Sequence, residues 1–95
     1  MDVTCQGTVV TIVGNIKSIA DFQTIKKNVD DVVAQNKRVD FIIADSISMT
    51  SSVIGYLTKL VYQDKVSMSM KIGDERLHQL LDDLNVTSLF GVKKG

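Results

Sequence analysis

The chain has few of the residue types on which enzymes, disulfide-bonded proteins and metalloproteins depend. Its 95 residues include no proline and no tryptophan, and cysteine and histidine occur once each, as Cys5 and His78. A lone cysteine excludes an intrachain disulfide and fits a reducing, cytoplasmic setting. A single histidine without a second His or Cys beside it gives no ligand set for a metal. We therefore expect neither a metal nor another cofactor.

An excess of charge of one sign is also missing. The 11 basic and 11 acidic side chains give a formal net charge of zero, so nothing in the composition attracts a phosphate backbone or an anionic membrane. The few aromatic residues, two tyrosines and three phenylalanines, are not interleaved with basic residues as a base-stacking surface requires. Nucleic acid is therefore not an expected partner.

Long hydrophobic runs are absent too. No stretch approaches the ~20 apolar residues that a membrane-spanning helix needs. The opening Met1-Asp2 carries an acid and polar residues interrupt every apolar run, which is unlike a signal peptide. Apolar residues still make up 44% of the chain, an ordinary share for a globular domain with one core. We expect a single cytoplasmic domain over residues 1–95, with no membrane insertion.

The N-terminal part of the sequence predicts a β-hairpin and then a helix. Two segments rich in β-branched residues, 2–5 and 8–13, are separated by Gln6-Gly7 and indicate two paired strands. From Ser18 to about Gln35, apolar residues recur at three- and four-residue spacing, which is typical of an amphipathic helix. The apolar stripe of this helix comprises Phe22, Ile25, Val29, Val32 and Val33.

The middle of the chain predicts a strand followed by a second helix. Residues 41–44 form an unbroken apolar run that is too short for a helix, a pattern typical of a central strand covered on both faces. Residues 46–52 are mostly polar. Helical spacing of apolar residues begins at Val53 and continues to about Tyr62.

The C-terminal part predicts one more strand and helix. Residues 66–72 alternate between apolar and polar, which indicates a strand with one covered face near a sheet edge. A leucine-rich helix begins near Asp74. Residues 86–92 predict a short tail with a final edge pairing, and residues 93–95 should fray. This order favours an α/β fold: a mixed, mostly parallel sheet with an N-terminal hairpin, then alternating strands and helices packed mainly on one face.

The residues that could support catalysis are too scattered to predict an enzyme. His78 lies off the leucine stripe of the third helix, and we expect it at the surface. Cys5, in the first strand, is expected to be buried as a small apolar residue. Neighbouring acids such as Asp30-Asp31 diverge by ~100° around the helix axis, and the glycines are isolated rather than grouped in a phosphate-binding loop.

Three hydroxyl groups at the start of the second helix are the main candidate functional feature. Thr50, Ser51 and Ser52 lie where the first turn of a helix leaves backbone N–H groups without partners. One hydroxyl would cap such a donor and contribute about 1 kcal/mol. Three in succession exceed what one cap requires, and a phosphoryl group there would meet the positive end of the helix dipole. Capping and phosphorylation both remain open at this point.

These residues are part of a longer pattern that resembles the STAS domain of bacterial anti-sigma factor antagonists, which also occurs in transporters and stress-signalling assemblies. The matching features are Val13-Gly14-Asn15-Ile16 before the first helix, Asp45 after the central strand, the helix start Thr50-Ser51-Ser52-Val53-Ile54-Gly55, and the ending from Leu80 to Phe90. In phosphorylated members the helix-start motif is Asp-Ser-Ser/Thr-Gly, and its first serine is the phosphoacceptor. Ser51 matches that serine, whereas Thr50 and Val53 stand where those members have Asp and Gly. The resemblance covers nearly the whole chain and implies a small STAS-like domain.

The resemblance implies a bacterial regulatory domain without enzymatic activity. Its partner would be a kinase-like ATPase, an anti-sigma factor, and phosphorylation of Ser51 would weaken binding, with Ser52 and Thr50 as second choices for the phosphoacceptor. The implied partner-binding surface, with its apolar members at the rim, comprises Ser46, Ser48, Met49, Thr50, Ser51, Ser52, Val53 and Ile54.

Two alternatives remain beside this interpretation. One is an unphosphorylated STAS subunit of a larger assembly, such as a lipid-transport ABC system. The other is a small phosphocarrier or ligand-binding α/β domain that uses Cys5 or the loop near Asp45. A homodimer is compatible with each of them.

Overall fold

A computed structural model describes residues 1–94, which form five strands and three helices. In chain order the elements are β1 (Asp2–Gln6), β2 (Val9–Val13), α1 (Ile19–Asn36), β3 (Arg38–Ile43), α2 (Ser51–Tyr62), β4 (Ser67–Ile72), α3 (Glu75–Asp83) and β5 (Val92–Lys94). All five strands belong to one sheet in the order β1-β2-β3-β4-β5. β1 is antiparallel to β2, and the other neighbours are parallel. The predicted α/β fold, with its hairpin and mostly parallel sheet, is confirmed.

A tight turn joins the two strands of the hairpin. Gln6 pairs with Val9, so only Gly7 and Thr8 lie between the strands. Gly7 has a φ of +62°, and a glycine with positive φ at the first turn position is typical of the type II′ turn that suits a twisted hairpin. The register of β1 on β2 is therefore fixed locally.

The helices cover one face of the sheet, as the sequence predicts. Val10, Phe41 and Met70 lie side by side on β2, β3 and β4, and each is at most 1% exposed. Helix residues such as Ile25 and Leu57 complete the same core. The stripe predicted for α1 lies on this covered side, with Phe22 half-buried and the other four residues buried. In the leucine stripe predicted for the third helix, Leu77 and Leu81 are buried, whereas Leu84 is 48% exposed because it lies just past the end of that helix.

The opposite face of the sheet is open, which corrects the expectation for the central strand. The prediction that both faces of β3 are covered is wrong: Phe41 and Ile43 are buried, whereas Ile42 between them is 38% exposed. Val13 on β2 is 48% exposed. A short apolar run does not show how many faces are covered, because that depends on the side to which the connecting helices return.

The ends of the elements agree with local sequence signals except at the C terminus. Ser18 caps α1 in a capping box with Asp21, and Lys37 ends the helix with a φ of +52°. The expectation that Lys93 and Lys94 fray is wrong, because both belong to β5 and pair with β4; Gly95 lies outside the described residues. No helix within residues 1–94 is long and apolar enough to cross a membrane.

Candidate functional site

The candidate site lies at the carboxyl end of β3, where residues 44–50 lead into α2. Thr50 is the N-cap of the helix: its backbone is extended, and its Oγ1 accepts a hydrogen bond from the backbone N–H of Val53 (3.3 Å). Ser51 and Ser52 are the first two helical residues, and both are exposed. One of the three hydroxyls therefore serves as the cap, and two lie at the surface of the first turn.

Side-chain hydrogen bonds fix this loop to the loop between β2 and α1. Asp45 Oδ1 accepts the backbone N–H of Gly14 (2.9 Å), and the Ser46 hydroxyl donates to the Gly14 carbonyl oxygen (2.6 Å). Asn15 Oδ1 accepts the backbone N–H of Ile47 (3.0 Å). Gly14 has a φ of +91°, which glycine adopts without strain. These bonds hold the start of α2 in one position relative to the sheet.

Three residues of the predicted partner-binding surface are buried. Ser46 is 0% exposed, so its hydroxyl serves the loop and not a partner. Met49 and Val53 are 6% and 1% exposed and belong to the hydrophobic core, so the expectation that they contact a partner at the rim is wrong. The physical reason for Val53 is visible in the helix itself, because it lies one turn before Leu57 on the buried face.

Two exposed apolar residues at this end of the molecule were not among the predicted site residues. Ile19, the first residue of α1, is 72% exposed, and Ile47 in the loop before α2 is 37% exposed. Ile19 could have been found from the sequence because it precedes the apolar stripe of its helix. We call the exposed residues Ile19, Ile47, Ser48, Ser51 and Ser52 the α2-start surface. The remaining predicted residues, Thr50 and Ile54, are half-buried at its border.

A shallow hollow of about 110 Å³ lies between the starts of α1 and α2. Its lining residues are Lys17, Ser18, Ile19, Phe22, Thr50 and Ser52. Asp21 beside it accepts the backbone N–H of Lys17 (2.9 Å), and this bond holds the pKa of the Asp21 carboxyl below its ordinary value. The hollow thus lies between two helix N-termini and is lined by a lysine, Lys17. Ser52 borders the hollow, whereas Ser51 is not part of its lining.

Cys5 does not belong to this site. The expectation that it is buried is wrong: Cys5 is exposed on the edge strand β1, where its Sγ lies 3.5 Å from Asn28 Oδ1. Partial burial and the nearby charge of Asp31 raise the pKa of the thiol. A raised pKa keeps the thiol protonated, which is the opposite of what a nucleophilic cysteine needs.

His78 lies apart from the α2-start surface as well. It is half-buried and borders a cavity of about 330 Å³ with Gly73, Glu75 and Lys94, near the ends of β4 and β5. Within residues 1–94, no group of three or more His, Cys, Asp and Glu side chains is placed to hold a metal ion. The structure therefore brings together the hydroxyl residues of the sequence prediction but joins neither Cys5 nor His78 to them.

Comparison of the chain with protein-family models, with curated proteins and with solved structures finds no match in any of the three. The resemblance to STAS domains therefore rests on the residues quoted from the sequence.

Proposed function

We propose that this chain is a bacterial, cytoplasmic protein-interaction domain of the STAS type that binds a kinase-like anti-sigma ATPase through the α2-start surface and is regulated by phosphorylation of Ser51. The observation that supports this proposal most directly is the division of roles among the three hydroxyls. Thr50 caps α2, whereas Ser51 is exposed in the first turn. A kinase could therefore modify Ser51 without removing the cap.

The composition of the surface supports binding that a phosphate would oppose. Ile19 and Ile47 give this surface exposed apolar side chains that a bound partner would cover. A phosphoryl group adds roughly −1.5 to −2 charges at neutral pH. Placed in a contact that must lose its water, this charge is costly unless the partner supplies a matching cation. Phosphorylation of Ser51 would therefore weaken the complex.

The same modification should not unfold the helix. Negative charge near a helix N-terminus is favourable, because it interacts with the unpaired N–H groups and the helix dipole. Ser51 is the first residue of α2, so a phosphate there stabilises the helix end. The proposed regulation thus acts at the surface of a folded domain.

Ser51 is a better phosphoacceptor than its two neighbours for reasons of position. Thr50 is half-buried and its hydroxyl oxygen accepts the capping hydrogen bond. Ser52 borders the hollow that contains Lys17, and the ammonium group would offset part of the charge of a phosphate there. A phosphate on Ser51 lies outside the hollow and presents more of its charge to a partner.

Affinity capture followed by intact-mass measurement tests the proposal. Wild-type protein serves as bait in a lysate of the source organism, with Ser51→Asp as the matched bait that carries a negative charge. We expect an ATPase with kinase activity to bind wild type and to bind Ser51→Asp at least tenfold more weakly. With ATP, this kinase should add one phosphoryl mass to wild type and to Ser52→Ala but none to Ser51→Ala.

Two results would contradict the proposal. Phosphorylation of Ser51→Ala to the wild-type extent would show that the acceptor lies elsewhere. Equal capture of the partner by wild type and Ser51→Asp would show that charge at the start of α2 does not regulate binding.

The open face of the sheet favours a second candidate, an unphosphorylated subunit of a larger assembly such as a lipid-transport ABC system. Val13 and Ile42 on this face are 48% and 38% exposed, and a larger complex could cover them. In that case capture returns transporter components with both baits, and Val13→Lys rather than Ser51→Asp releases them.

A further inference from the structure

The two edges of the sheet differ in how they are protected against pairing with another strand. β5 forms one edge and has three residues, two of which are lysines. β1 forms the other edge; it has five residues, and its sequence Asp-Val-Thr-Cys-Gln contains no lysine, arginine or proline. Its pairing with β2 is continuous, without a bulge. Charged side chains, above all lysines, as well as prolines and bulges discourage edge-to-edge association. β5 is therefore protected by its two lysines, whereas β1 carries one charge, Asp2, at its first position.

The hairpin geometry shows which backbone groups of β1 face its free edge. In a hairpin with a two-residue turn, the residues that flank the turn form a hydrogen-bonded pair, and such pairs then alternate along the ladder. Gln6 and Val9 flank the turn, so Gln6, Thr4 and Asp2 direct their N–H and C=O groups toward β2. Val3 and Cys5 therefore direct theirs toward the free edge.

We propose that two copies of this chain associate through the free edges of β1, in an antiparallel β1–β1 pairing centred on Thr4 that joins the two sheets into one. In this register Val3 of each copy lies opposite Cys5 of the other. The backbone N–H and C=O groups that these residues direct toward the free edge then form about four hydrogen bonds between the two strands. Thr4 lies opposite its own copy, and Asp2 lies opposite Gln6.

The strand is self-complementary in this register. Threonine pairs are favourable across antiparallel strands, and Asp2 meets an amide rather than a second acid. Directly opposite residues lie on the same face, so Val3 and Cys5 remain on the helix side and Thr4 on the open side. The zero net charge of the chain means that no long-range repulsion opposes the approach of two copies.

The proposed interface is independent of the α2-start surface, which lies at the carboxyl end of β3. The β1–β1 pairing would also affect two features near this edge. Cys5, a residue type that is usually buried, would be covered in part by Val3 of the other copy. The small cavity of about 160 Å³ that Cys5 and Gly7 form with α1 lies at the same edge.

Cysteine cross-linking tests the register with a matched control. In a Cys5→Ser background, Thr4→Cys places two thiols on the twofold axis, where Cα atoms of a non-hydrogen-bonded pair lie about 4.5 Å apart, within reach of a disulfide. Gln6→Cys, on the same strand and the same face, places its two copies about 13 Å apart along the strand, which is out of reach. With oxidised glutathione we expect Thr4→Cys to form a covalent dimer and Gln6→Cys to form none, although both associate non-covalently.

Light scattering and charge substitutions give a second measurement that needs no cross-link. Wild type should show twice the 10.5 kDa chain mass at high concentration. Thr4→Lys sets like charges opposite each other and should raise the dimer dissociation constant about fivefold or more, whereas Gln6→Lys, which faces Asp2, should not. Thermal unfolding confirms that both variants are folded.

Two results would overturn the proposal. One is a wild type that stays monomeric up to its solubility limit. The other is a dimer that Gln6→Cys cross-links and Thr4→Cys does not.

Discussion

Asp40 lies in the middle of β3 on the open face of the sheet, with its side chain 22% exposed. Its carboxylate accepts hydrogen bonds from the Arg38 guanidinium (3.0 and 3.1 Å), the Thr8 hydroxyl (2.8 Å) and the Ser69 hydroxyl (2.5 Å). The bond from Arg38, together with those from Ser69 and Thr8, lowers the pKa of Asp40 to about 2 in spite of partial burial. One ionised side chain therefore links the hairpin turn, β3 and β4.

This network predicts a pH-dependent loss of stability. Because the folded-state pKa lies below the ordinary value of 3.8, ionised Asp40 stabilises the fold above that pH, and the stabilisation is lost as the pH falls toward 2. We expect Asp40→Asn to lower the free energy of unfolding by about 1–2 kcal/mol at neutral pH and by less near pH 3. Urea unfolding of both proteins at the two pH values measures this.

The control for this prediction is Asp82→Asn, which changes an exposed carboxyl on α3 and should cost no more than about 0.5 kcal/mol. A loss for Asp40→Asn that is the same at both pH values would mean that the ionised carboxylate is not the stabilising group.

At the scale of a single element, α2 begins with three hydroxyl residues of which one has the cap geometry. Thr50 has an extended backbone and accepts the N–H of Val53, as an N-cap does. Ser51 already has helical geometry as the first residue of the helix. The contribution of the three hydroxyls to helix stability should therefore be unequal.

Alanine substitution should reveal this inequality. Thr50→Ala should lower the free energy of unfolding by about 1 kcal/mol because a helix N–H loses its partner, and Thr50→Ser should restore most of the loss. Ser51→Ala should change it by less than about 0.5 kcal/mol. Chemical denaturation of the three variants gives these values. If Ser51→Ala costs as much as Thr50→Ala, Ser51 is a structural residue and its proposed regulatory role loses its basis.

At the scale of the whole molecule, the carboxyl edge of the parallel strands is closely packed. Gly73 follows β4, and its N–H donates to the carbonyl oxygen of Ile43 at the end of β3 (2.9 Å). A Cβ atom at Gly73 would collide with the backbone carbonyl oxygen of Ala44. The absence of a side chain at Gly73 therefore lets the end of β4 approach the end of β3 directly.

Gly73, at this packed edge, and Gly55, inside α2, allow a matched comparison of glycine-to-alanine substitutions. Gly73→Ala should destabilise the protein by about 2 kcal/mol or more, because backbone atoms must move apart. Gly55→Ala, inside α2 and with open space around the added methyl group, should stabilise it by up to about 1 kcal/mol, because alanine favours the helix. Thermal or urea unfolding measures both, and equal effects of the two substitutions would contradict the packing described here.

The sequence by itself determined the features that depend on local interactions. The apolar stripe from Phe22 to Val33 predicts α1 within about a residue at each end, because helix periodicity acts over a few residues. The alternation of residues 66–72 likewise predicts β4 and its covered face. The order of these elements also predicts the mostly parallel sheet, and the hydroxyl residues of positions 50–52 predict where α2 begins.

Only the tertiary structure decided which of these residues are accessible. Ile42 is exposed because all three helices pack on the opposite face of the sheet. A short run of apolar residues does not determine on which face the connecting helices pack. Met49 and Ser46 are buried because Gly14 and Asn15, about thirty positions earlier in the chain, hold the loop before α2 against β2. Hydrogen bonds and packing between segments so far apart depend on the geometry of the complete sheet, which no local pattern specifies.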